Sequence, residues 1–142
     1  MPVAKEYDKA QKEKDPKKLK LPEIETVEYL YKGEDIFVEY KFPELTALCP
    51  KTGLPDFYEL KVLMIPDKYL PELKSLKLYL VAFRKVGIFH EHLAVRIFND
   101  FVKAVKPKFL SLELKANVRG GIYTTVRKIY KEVSKKAHTL QY

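Results

Sequence analysis

The stretch FHEHLAVRIFNDFVKAVKPKFLSLELKANV, residues 89–118, carries two periodicities, and the switch between them decides the fold. In its first half Leu93, Ile97, Phe101 and Val105 recur every four residues, backed by Phe98 and Val102, which lays one apolar stripe along a helix. Pro107 ends that segment, because it has no N–H to donate to a helical ladder. Beyond it Leu110, Leu112, Leu114, Ala116 and Val118 alternate with other residues, the period of a strand with one buried face. The turn RGG, 119–121, then leads into IYTTVRKIY, 122–130, so the two runs read as a hairpin.

Working outward, YLPELKSLKLYLVAFRKV, 69–86, places Leu73, Leu76, Leu80 and Phe83 at helical spacing, although Leu76, Leu78 and Leu80 also satisfy a strand's alternation; a helix is expected. FYELKVLMI, 57–65, reads as a strand closed by Pro66 and Asp67. Ile24–Tyr31 and DIFVEYKF, 35–42, are rich in β-branched and aromatic residues around the turn KGED, and are expected to pair as a first hairpin. The order is β-β, a loop and strand, two helices, then β-β. That makes an α+β fold, an antiparallel sheet with a helix pair on one face. Residues 1–22 are charged and interrupted by Pro16 and Pro22, so they are expected to form a mobile arm before a single domain, 23–142.

The chain's 142 residues suit one core, and its 46% hydrophobic content suits burying it. The net charge of +8 invites a nucleic-acid reading, but seven Lys against four acids in residues 1–20, and five cations against Glu132 in residues 127–136, put nearly all the excess at the termini. Solvated tails are expected, with no direct nucleic-acid partner. No apolar run approaches the roughly 20 residues that span a bilayer, and the start MPVAKEYDKAQKEKDPKK lacks a signal's apolar core, so a cytosolic protein is expected. No metal site is expected, since His90 and His92 are only two apart and the single Cys has no CxxC partner.

That cysteine lies in TALCPKTGLPDF, residues 46–57. A lone Cys is as a rule a small buried hydrophobe. Here Pro50, Gly53 and Pro55 build a rigid turn that presents Cys49, and Asp56 is near enough along the chain to act as its acid, or else is a plain turn residue. Lys74 and Lys77 share a helical face and suit phosphates, or are ordinary solvated lysines. Glu72 and Glu91 also fit the first turns of the two helices, where carboxylates complement the helix dipole.

Taken together, FPELTALCPKTGLPDF, ELKSLKLYL, FHE and RGG, in this order and spacing, resemble the QueF nitrile reductases of queuosine biosynthesis over about residues 35–125. ELKSLKLY agrees throughout with that family's signature. The resemblance implies the tunnelling fold, with β-β-α-α-β-β subunits joined into a ring and active sites between neighbours. It also implies a homo-oligomer, a decamer of two stacked pentamers. Its implied reaction is NADPH-dependent reduction of the nitrile of 7-cyano-7-deazaguanine to 7-aminomethyl-7-deazaguanine. By the same resemblance Cys49 is the nucleophile that forms a thioimide and Asp56 the proton donor. Pro71, Glu72 and Leu73, with His90 and Glu91, hold the substrate, while Lys74, Lys77 and Arg119 are candidates for the NADPH phosphates. Two rivals stay open: an archaeosine-synthase-like amidinotransferase acting on modified tRNA, and a non-enzymatic basic nucleic-acid-binding module.

Overall fold

The computed structural model describes residues 13–132, apart from the side chain of Arg119; the rest of the expected arm, and the Lys-rich end beyond Glu132, lie outside the described residues. In chain order the elements are β1 (Thr26–Glu28), β2 (Val38–Leu48), β3 (Pro55–Ile65), β4 (Tyr69–Pro71), α1 (Leu73–Val81), α2 (His90–Val105), β5 (Phe109–Arg119) and β6 (Ile122–Lys131). Strands β2-β3-β5-β6, in that order, form an antiparallel sheet, while β1 and β4 pair apart from it. Among the described residues no helix is long and apolar enough to cross a membrane.

The core lies between the sheet and the helices. Leu93, Ile97, Phe101 and Val105 are fully buried along one stripe of α2, as the period of four requires. They meet the inner face of the sheet, where Leu110, Leu112 and Leu114 of β5 alternate with Ser111 and Glu113. Lys106 adopts a left-handed conformation (φ 47°) as the C-cap of α2 and turns the chain into Pro107.

Two expectations need correction. The first hairpin does not form: β1 pairs with β4, with Val27 opposite Leu70, and not with β2. Backbone hydrogen bonds from Tyr29 N to Lys68 O (2.7 Å) and from Glu72 N to Glu25 O (2.8 Å) extend that pairing at both ends. The Tyr29 hydroxyl meanwhile donates to Glu34 O at 2.6 Å and closes KGED into a loop. β-rich composition sets a strand's conformation and leaves its partner open. Nor does packing begin at Glu23. Pro16–Lys18 form a 3₁₀ turn, and Leu19 is 5% exposed within the core.

One irregularity aims the chain at its candidate site. The register of β2 against β3 shifts between Phe42 and Leu45, so Pro43 and Glu44 form a bulge. Up to Phe42 the even-numbered residues face the helices; after the bulge Leu45 and Ala47 do, both fully buried. The extra residue therefore reverses the parity with which β2 runs toward Cys49.

Candidate active site

β2 and β3 are joined by the loop 49–54, closed by hydrogen bonds from Cys49 N to Leu54 O (2.8 Å) and from Gly53 N to Cys49 O (2.9 Å). Gly53 sits at φ +72°, a region that disfavours a side chain. The thiol is partly exposed at the head of this loop. The Thr52 hydroxyl, then the backbone N–H groups of Thr52 and Lys51, donate toward the sulfur and hold its pKa below the ordinary thiol value, against smaller opposing effects of burial and the Asp56 carboxylate. The turn's own donors thus shift the thiol toward thiolate.

Asp56 lies opposite Ala47 on the inner face of β3, 8% exposed, in line with buried Tyr58 and Leu60. Few carboxylates are so buried without a purpose or a partner, and this one makes further contacts. Beside the loop, the link between the helices docks on the edge of β2. Leu48 N donates to Val86 O (2.8 Å) and Ile88 N to Leu48 O (3.0 Å), which brings the start of α2 to the cysteine. A cleft of about 520 Å³ results, lined by Cys49, Pro50, Gly53, Ile88, Phe89 and His92 together with Pro16 and Leu19. His90 and Glu91 begin α2 next to it, their side chains in contact at 3.1 Å.

Within one chain, then, Cys49, Asp56, His90 and Glu91 gather at the Pro55 end of β3. Pro71, Glu72 and Leu73 do not join them, because β4 and the start of α1 follow the Ile65 end. None of the three lines the Cys49 cleft, and Leu73 packs over mid-sheet beside Phe42 and Leu60. Glu72 is the N-cap of α1, its carboxylate accepting from the N–H groups of Lys74 and Ser75. Pro71 is buried and Leu73 is 63% exposed. Lys74 and Lys77 are exposed on α1, Lys77 beside a second cleft of about 340 Å³ that Leu73, Tyr40 and Phe42 also line. Arg119 is the last residue of β5, and its side chain is outside the described ones.

Sequence reasoning passed over Phe89 and His92, whose rings meet edge to face with centroids 6.3 Å apart, and the Pro16–Leu19 wall. The only signal for that wall was the pair Leu19 and Leu21 inside a lysine run, both of which pack on the core.

A sequence model of the QueF-like protein family matches residues 55–135. An NADPH-dependent 7-cyano-7-deazaguanine reductase of Chloroherpeton thalassium is 48% identical over 107 residues, 75% of this chain and 92% of that protein. One from Thioalkalivibrio sulfidiphilus is 49% identical, covering 73% of this chain and 81% of that one. Among solved structures, the crystal structure of an archaeosine synthase QueF-like protein in the apo form superposes with a TM-score of 0.63 at 24% identity, over 69% of this chain and 96% of that one; that likeness shows the fold.

Proposed function

This chain belongs to the QueF-like family, and from that membership we propose that it is a nitrile oxidoreductase that reduces 7-cyano-7-deazaguanine to 7-aminomethyl-7-deazaguanine with NADPH in queuosine biosynthesis. The observation that carries the reading is a partly exposed thiol at the head of the β2–β3 loop, whose donors hold its pKa below the ordinary thiol value, with the buried Asp56 on the next strand opposite Ala47. A nitrile carbon is a poor hydride acceptor until a nucleophile adds to it. The Cys49 thiol passes its proton to the Asp56 carboxylate and its sulfur adds to that carbon: a C–S bond forms, one π bond of the nitrile opens, and its electron pair takes the proton from Asp56, which returns to carboxylate and leaves a thioimide. Once the carbon has been reduced, Cys49 leaves as thiolate, and the Thr52 and Lys51 donors ease that departure.

Lys74 and Lys77, exposed three residues apart on α1 and without a carboxylate partner among the described residues, fit the phosphates of a dinucleotide. NADPH bound there, with Arg119 of the copy that carries the reacting Cys49 as a further cation, supplies hydride, two equivalents for each nitrile. Glu91, with His90, grips the purine edge, since a carboxylate can accept two N–H bonds at once. Glu72, Pro71 and Leu73 reach the same substrate from a neighbouring copy of the chain. The reading thus makes the protein a cytosolic homo-oligomer of tunnelling-fold subunits, a decamer of two pentamers.

The test is to add the nitrile base without NADPH and weigh the protein. Addition has no leaving group, so the mass should rise by the whole base, on Cys49, and Cys49→Ala should abolish the rise. With NADPH added, nicotinamide absorbance should fall only when the base is present. Folded protein that shows neither adduct nor oxidation sinks the proposal. An adduct that turns over with ammonia and not with NADPH would transfer it to the amidinotransferase reading.

A further inference from the structure

Residues 13–19, EKDPKKL, read as a solvated arm, yet they make a wall of the cleft that holds the only thiol. Asp15 caps their short turn by accepting from Lys17 N at 3.0 Å. What fastens the turn to the fold is one side chain of α2. Arg96 donates through Nε to Asp100 Oδ2 at 2.7 Å, through Nη1 to the Pro16 carbonyl, and through Nη2 to the Leu19 carbonyl at 3.1 Å. Asp100 in turn accepts from the Tyr79 hydroxyl, which burial and that same carboxylate keep protonated, its pKa well above the ordinary value. The guanidinium is thereby fixed from its own helix and from α1, and its free fork grips two carbonyls about 80 residues away in sequence. An ammonium is a single point charge and cannot span both.

We propose that Arg96 is a positioning residue for the Cys49 cleft: by clamping Pro16–Leu19 it holds the wall that limits what reaches the thiol. It touches neither sulfur nor substrate. The clamp rests on geometry alone, whereas its effect on turnover rests on the reductase reading above.

Because Cys49 is the only thiol, its labelling in the full chain reads the wall directly. Arg96→Gln should raise the labelling rate by a bulky aromatic disulfide about fivefold, while a small methyl thiosulfonate changes less than about twofold. The pH profile of labelling should not move, since Thr52 and Lys51 are untouched. Trypsin should cut faster after Lys17 and Lys18. Leu19→Ala, which thins the wall and keeps both carbonyl contacts, should reproduce the size-dependent labelling without faster cleavage, and Arg96→Lys should not rescue. In turnover, KM for the nitrile should rise with kcat little changed. An unchanged ratio of bulky to small reagent in both variants overturns the proposal, and so does equal acceleration of both reagents, which signals general loosening. If the unaltered protein consumes no NADPH, the reductase reading fails and the labelling ratio still decides the clamp.

Discussion

A thiol attacks only as thiolate, so at position 49 the groups that matter first are those setting its ionisation. Thr52 ranks highest among them. Thr52→Val keeps the shape and removes the hydroxyl, so the thiol pKa should rise. Below that pKa the thiolate fraction falls tenfold per pH unit, and alkylation of Cys49 at pH 7 should slow about three- to tenfold, with its pH profile displaced to higher pH. Asp56 acts with the opposite sign, because its negative charge raises the thiol pKa. Asp56→Asn should therefore quicken alkylation of Cys49 while turnover falls by about 10²-fold or more, since the amide cannot hand over the proton. Alkylation kinetics and steady-state rates on the same preparation check both halves; slower alkylation in Asp56→Asn would show that the carboxylate does not face the sulfur.

Each helix carries a load that one substitution can separate. Glu72 caps α1, and the proposed role gives the same carboxylate to the substrate. Glu72→Ser keeps a good N-cap, so stability should stay within about 0.5 kcal/mol of the original, whereas Glu72→Ala should cost about 1 kcal/mol; substrate affinity should be lost in both. Urea unfolding beside KM measurements separates cap from ligand. In α2, Ile97→Ala leaves a cavity at a fully buried position and should cost about 2–5 kcal/mol. That helix was legible from composition, because a stripe repeating every four residues has one way to be buried, and the strands before and after the RGG turn were legible for the matching reason. Which strand Ile24–Tyr31 would join was not, since a three-residue strand with every side chain exposed carries no register signal. The site was legible in part. The loop that carries Cys49 was legible from its prolines and glycine, but the bulge that sets the facing of β2 depends on how that strand pairs, and the Pro16–Leu19 wall depends on a helix residue 77 positions away.

For the molecule as a whole, the edge strands of the sheet are β2, whose Leu48 end is covered by the link at Gly87, and β6, which pairs with no further strand among the described residues. The face turned from the helices shows Phe57, 52% exposed, and Ile129, 61% exposed, and Tyr123 near the β6 turn is 82% exposed. A ten-residue edge with apolar neighbours invites pairing with another copy. If copies join edge to edge, the Glu72 of one chain can come beside the Cys49 of the next, whereas within one chain Glu72 does not line the Cys49 cleft. Cys49→Ala and Glu72→Ser, each inactive alone, should then complement when the two chains are refolded together. A site that draws its sulfur from one copy and its carboxylate from the next is intact in about one case in four of random assembly, so about a quarter of the activity should return. A site built within one chain leaves every mixed assembly silent, because each chain then carries its own defect, and native mass spectrometry of the same mixture shows whether the two variants share an oligomer at all.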